Sequence, residues 1–312
     1  MAFPVAGQTP ALPANPDSVR FAVIGDTGTG GRAQYDVANR MVESRQKFPF
    51  DFVIMVGDNV YGREGPIDMQ KKFEVPYRPL IDKGVKFYAA LGNHDDTNQR
   101  HYEFFNMNGK QYYTFKKGNV HFFALNSNYM DREQLAWLEK ELEASGSDWK
   151  ICYFHHPLYS SGRAHGSTTE LRLLLEPIFI KHGVQVVFQG HEHNYERIKP
   201  QKGIHYFTEG ASGKLKKNNL AKTDLTAAGF DKDQTFMLVE ITGDDLHFQT
   251  LSRTGVIVDS GVIRRPSNAQ AAVPAFGRTL LGPAQSAVTD SVLHRRKALH
   301  LVDFQRPELG SL

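Results

Sequence analysis

Short apolar runs recur along the chain, and five of them give way abruptly to Gly or to a polar pair: FAVIGD, FVIMVGD, KFYAALGNHD, ICYFHH and VQVVFQGH. An apolar run bounded in this way reads as a buried strand, and the change of character marks its carboxyl end. The first strand spans Val19 to Ile24. Val37, Met41 and Val42 in RAQYDVANRMVESRQ then keep helical spacing. DREQLAWLEKELEA (Asp131 to Ala144) and TELRLLLEPIFIKH (Thr169 to His182) predict two further helices, with Asp131 as N-cap and Gly183 as stop. Strands alternating with helices form the crossover units of a layered α/β domain. Gly118-Asn119, between QYYTFKKG and VHFFALNS, predicts a hairpin and so a mixed sheet. Pro66, Pro76 and Pro79 predict that no long helix forms between the second and third strands. IHYFTEGASG, TFMLVEITGDDLHFQTLS and VIVDSGVI predict more strands, with a turn at Gly243-Asp244-Asp245, and so many strands predict a second sheet.

Composition narrows the classes. A chain of 312 residues that is 40% hydrophobic can build a sizeable core. No run approaches the ~18 apolar residues of a membrane helix. A net charge of +3, with Lys and Arg spread along the chain, gives no basic stripe for nucleic acid. Residues 1–18 read as a Pro/Ala-rich linker, 19–265 as the folded domain and 266–312 as a tail in which SVLHRRKALHLV is a candidate short amphipathic helix. A single cysteine, Cys152, permits no internal disulfide and suits a reducing compartment, although a chain exported with its signal removed would read the same way. The compartment and oligomeric state are left open.

The strand ends carry the chemistry. Two ions about 3.5–4 Å apart can clamp a phosphoryl group, provided that one carboxylate bridges them and further donors close each side. Asp58, in the middle of the constellation, is the bridging candidate, with Asp26 terminal on the first ion. His191 and His193 bracket Glu192; on an extended segment residues two apart point the same way, so each imidazole can serve one ion. In Gly92-Asn93-His94-Asp95 the Asn93 amide oxygen is a competent ligand, which leaves His94 free to act on substrate. Of His155 and His156, which point oppositely in an extended chain, one is expected to ligate. Tyr61, three residues past Asp58, favours a trivalent ion such as Fe(III).

The spacing GD…GDxxY…GNHD…HxP…GHxH resembles the calcineurin-like metallophosphoesterases, and the Tyr61 version, with Gly28 where most of that superfamily has a His ligand, is similar to the purple acid phosphatases. The resemblance covers roughly Val19 to Ile263. It implies an α/β fold of two mixed β-sheets packed as a sandwich and flanked by α-helices in four layers, of the small single-domain type, since 18 residues before Val19 leave no room for an added β-domain. It implies that Asp26, Asp58, Tyr61 and His193 hold Fe(III), and that Asp58, Asn93, His155 and His191 hold a divalent ion, Fe, Zn or Mn. His165, ten residues past His155, matches a phosphate-binding histidine of the family. The implied activity is hydrolysis of phosphate monoesters of small molecules by a metal-bound hydroxide, acid phosphatase type, with His94, His165 and Asp58 catalytic. Three alternatives stand beside it: a phosphodiesterase, including one for cyclic nucleotides, on the same centre; a metal- or phosphate-binding module without catalysis; and a nucleotide site at Gly28-Thr29-Gly30-Gly31-Arg32-Ala33, whose expected acid, Asp58, lies too far along. Leaving-group pockets are expected in the loops Arg63 to Tyr77, Thr97 to Asn108 and Leu215 to Phe230, with Tyr77, Tyr102 and Phe104 lining them.

Overall fold

In a computed structural model, residues 12–265 are described; the tail and its candidate helix lie outside them. Six strands form one mixed sheet in the order β13 (Ile257–Arg264), β12 (Asp245–Ser252), β11 (Thr235–Thr242), β1 (Val19–Ile24), β2 (Phe52–Met55) and β3 (Lys86–Ala89). Seven form the other, in the order β10 (Thr226–Phe230), β8 (Tyr195–Ile198), β9 (His205–Glu209), β7 (Val186–Gln189), β6 (Trp149–Tyr153), β5 (Val120–Ala124) and β4 (Tyr113–Lys117). The strands that end in the motifs run parallel within each sheet, β1 beside β2 beside β3 and β6 beside β7, so within each sheet their carboxyl ends lie on one edge.

The two sheets pack face to face through aromatic side chains. Phe21 of β1 stacks on Phe52 of β2 at 5.2 Å and meets Phe122 of β5 edge-on at 5.3 Å. Successive residues of a strand face opposite layers: Ile151 and Tyr153 join the inter-sheet core, whereas Cys152 turns outward into a second core under α4 (Arg132–Ala144) and α5 (Thr169–His182). On the other side α1 (Arg32–Lys47) buries Val37, Ala38 and Met41 in the first core. The layers are therefore helix, sheet, sheet, helix.

Helix ends follow their predicted chemistry. Asp131 caps α4 by accepting from the Gln134 N–H at 2.8 Å, and Gly183 ends α5 at φ 66°. The Gly118-Asn119 hairpin joins β4 to β5 as expected. The proline-rich stretch does not follow expectation. It is helical from Pro66 to Ile81, as α2 (Pro66–Met69), a π turn (Gln70–Glu74) and α3 (Val75–Ile81). Pro66 and Pro76 sit at helix starts, where a missing N–H is tolerated. Pro76 still deprives the Lys72 carbonyl of its donor four residues on, and the buried Gln34 amide replaces it. The strands β8 and β10 were not foreseen: β8 begins directly after the last motif, and the Ala- and Gly-containing β10 carries no strong strand pattern.

Candidate metal centre

Asp26 follows β1 in a left-handed conformation (φ 51°), and Asp58 past β2 (φ 50°) and His191 past β7 (φ 71°) share it. A non-glycine residue held there costs about 1 kcal/mol or more, so these three turns keep strain where donors must be aimed. His191-Glu192-His193 is consequently a bend and not the extended segment expected, yet both imidazoles still reach the cluster. Glycine at the motif starts has a steric reason. A Cβ on Gly92 would lie 2.2 Å from the Asp58 amide nitrogen and carboxylate, and one on Gly28 would lie 1.9 Å from the Asn59 carbonyl oxygen. Position 28 has no room for any side chain.

The donors form one connected network. Asp26, Asp58 and His193 each contribute a donor atom within 4.8 Å of the other two. The Tyr61 hydroxyl donates to Asp26 Oδ1 at 3.0 Å and lies 3.3 Å from His193 Nε2. On the other side His155 Nε2 lies 3.0 Å from Asn93 Oδ1, 3.1 Å from His191 Nδ1 and 3.3 Å from Asp58 Oδ1. All seven expected donors thus meet around Asp58. Asp26, Asp58 and His155 are buried, Tyr61, His191 and His193 are half-buried and Asn93 is exposed, so the cluster is open on one side.

Its chemistry fits a pair of cations. His155 Nδ1 faces the Val56 carbonyl at 3.0 Å, an acceptor only, so Nδ1 carries the proton. Nε2 then faces an amide oxygen, a carboxylate and another imidazole, each of which brings a lone pair. Such a convergence of lone pairs calls for a positive charge among them. Burial disfavours charge on His155, but Asp58 and Asp26 outweigh it and raise its pKa. Burial and the charges of His155, His156, His165 and His193 hold the His191 pKa far down, leaving a neutral ligand. Burial, then Asp26 and Asp58, push the Tyr61 phenol pKa far up, so a phenolate there requires a strong Lewis acid. Carboxylate, amide, phenol and imidazole donors with no thiolate suit Fe, Zn or Mn; Cys152 is buried in the other core.

Two exposed imidazoles flank the donors. The His94 ring centroid lies 4.9 Å from that of Tyr61, and the His94 backbone N–H donates to Asp58 Oδ1 at 3.0 Å. The His165 ring lies 4.0 Å from His191. His156 is not turned away as expected: its Nδ1 lies 2.9 Å from Ser127 Oγ, and its ring is 4.6 Å from that of His191.

Sequence reasoning passed over the two carboxylates that hold these parts together. Asp95, whose pKa burial and Asp58 push up to about 7, accepts from Gly92 N at 2.8 Å, Val60 N at 3.1 Å and Gln99 Nε2 at 2.8 Å, tying the third motif to the second. Glu192, fully buried, accepts from the His165 and Gly166 amides at 2.6 Å each and from the Asn219 side chain. Both lie inside quoted motifs, GNHD and GHEH, which was the signal available. Tyr77, expected in a leaving-group pocket, is instead buried in α3 with its hydroxyl 2.6 Å from Thr27 Oγ1, and Tyr102 and Phe104 pack against the core.

Comparison with known proteins places this geometry. Residues 19–195 match the family model described as calcineurin-like phosphoesterase. The purple acid phosphatase 17 of Arabidopsis thaliana is 30% identical over 242 residues, 65% of this chain and 71% of that protein. Two solved structures share the fold. GAP50, the anchor in the inner membrane complex of Plasmodium, gives a TM-score of 0.69 at 18% identity over 80% of this chain and 90% of its own. Purple acid phosphatase PPD1 from yellow lupin (Lupinus luteus) seeds gives 0.68 at 19% over 81% and 55%.

Proposed function

The chain belongs to the calcineurin-like phosphoesterase family, hydrolases of phosphate esters with a dinuclear metal centre, and we propose that it is a phosphatase of small phosphate monoesters. The observation that carries the reading is the lone-pair convergence on His155 Nε2, continuous through Asp58 with the Asp26, Tyr61 and His193 group. Asp26, Tyr61 and His193 would hold Fe(III), Asn93, His155 and His191 would hold divalent Fe, Zn or Mn, and Asp58 would be shared. When bound, such ions polarise phosphoryl oxygens and lower the pKa of a water enough for it to attack. His94 and His165, on opposite flanks, receive the oxygens of the transferring group, and an imidazole N–H of His94 gives its proton to the leaving alkoxide. The glycine-lined turns keep these groups fixed, so little reorganisation accompanies the reaction.

A monoester is favoured over a diester by the flanking imidazoles, which suit a terminal phosphate with ionised oxygens, and by the relative's printed name, an acid phosphatase. Comparing p-nitrophenyl phosphate with its bis-ester tests this. The expected kcat/KM is at least about tenfold higher for the monoester; the reverse order would move the assignment to phosphodiesterase. A visible band from concentrated, unreduced protein, lost in Tyr61→Phe, is expected for a phenolate on ferric ion. Colourless protein carrying two metals would remove Fe(III) from Tyr61.

A further inference from the structure

The side of the site next to Tyr61 carries cations that the protein itself leaves without anions. Lys214, half-buried, rests its ammonium 4.4 Å from the centroid of the Tyr61 ring. Its backbone is fixed against the motifs: Ser212 N–H donates to the Gly25 carbonyl at 3.0 Å, Lys214 N–H to Asp26 at 2.9 Å and Lys216 N–H to His193 at 2.9 Å. Lys216 projects from the same segment, and after burial its charge and that of His193 help to lower the His165 pKa, against Glu192. Among the described residues neither ammonium has a carboxylate or carbonyl partner. Lys72, also near Tyr61, makes the contrast: it donates to the Tyr61 and Arg63 carbonyls and pairs with Asp68 at 3.1 Å. An ammonium that meets a ring face and no oxygen keeps unused donors. Here they stand beside both the Tyr61 end and the His165 end of the donor cluster.

We propose that Lys214 and Lys216 form a second anion subsite flanking the phosphoryl site, so that the preferred substrates are phosphate monoesters whose alcohol carries a further phosphate. A phosphate dianion can engage both ammonium groups and fixes the leaving alcohol as it does so. The inference rests on the phosphatase reading, and the reaction is unchanged. Water oxygen bonds to phosphorus, the ester P–O bond breaks, the alkoxide takes a proton, and the second phosphate stays on the alcohol.

The test compares kcat/KM for fructose 1,6-bisphosphate and fructose 6-phosphate in the metal-loaded full chain. The wild type is expected to prefer the bisphosphate, a Lys214→Ala/Lys216→Ala double variant to lose about tenfold of that preference, and the corresponding Arg pair to keep most of it. Equal losses on both esters would overturn the subsite, because the lysines would then act on the centre through Tyr61 and His165. A wild type without the preference would overturn it too. Titration calorimetry with methylenediphosphonate, which has no P–O–P bond to hydrolyse, against methylphosphonate reads the subsite without turnover, and the extra affinity for the diphosphonate should vanish in the double Ala variant. Lysine-dependent diphosphonate binding with no hydrolysis of any ester would contradict the phosphatase reading and leave the subsite standing. Diphosphonate binding indifferent to both lysines would overturn it.

Discussion

At the scale of residues, the ligand-type side chains were legible because few structural roles ask for Asp, Asn and His directly after a buried strand, five times over. His94, His165 and the seven donors do come together. Asp95, Glu192 and Lys214 were not legible, since their roles depend on which loop packs against which turn, and spacing does not encode that. Two expectations follow. His94→Ala should lower kcat by ~10²–10⁴ with modest change in KM, the signature of a lost proton donor in steady-state kinetics. Glu209 behaves differently. It is buried behind Asp26 with Thr235 Oγ1 donating to Oε1 at 2.5 Å, and burial pushes its pKa up to about 8. Because the folded-state value lies above the unfolded one, the folded protein keeps its proton while the unfolded chain ionises. Stability therefore falls as pH rises from about 4.5 to about 8 and is constant on either side. Glu209→Gln should remove that slope and stabilise the protein at pH 7 by on the order of 3 kcal/mol. Thermal unfolding across pH 5 to 8 checks this, and an unchanged slope would show that Glu209 is not the titrating group.

Among the elements, the strands of the alternating region were the most legible, because each couples a buried run to a glycine break. The helical run Pro66 to Ile81 was not, for a specific reason. Proline rules describe an isolated helix, whereas here a side chain from another helix supplies the missing donor. Gln34 holds this arrangement from α1: its Oε1 accepts from Gly30 N at 2.8 Å while its Nε2 serves the Lys72 carbonyl. Gln34→Ala should leave both half-buried partners without that bond and lower the unfolding free energy by roughly 1 kcal/mol, read from the denaturant midpoint at unchanged m-value. Glu192 joins elements in a similar way, binding the His165 loop and Asn219 to the turn after β7. In Glu192→Ala the His165 loop should loosen, so KM for phosphate esters rises about tenfold while the count of bound metals stays the same. Metal loss equal to the activity loss would assign Glu192 to holding the ligands instead.

For the whole molecule, the sandwich follows from alternation: strands with apolar side chains on both faces need a layer on each side, and two such sheets with outer helices satisfy this. The fold is legible to that level. Which strand becomes an edge was not, since β8 and β10 owe their places to pairing with β9 and to each other rather than to their own patterns. The two sheets converge their parallel strand ends on Asp58, and a dinuclear centre here requires that carboxylate to be shared by two ions. The measurement is elemental analysis of the purified full chain and of Asp58→Ala, whose folding is verified by circular dichroism. Two metal ions per wild-type chain, with iron among them, and fewer than one per variant chain are predicted. A folded Asp58→Ala that keeps both ions would contradict it.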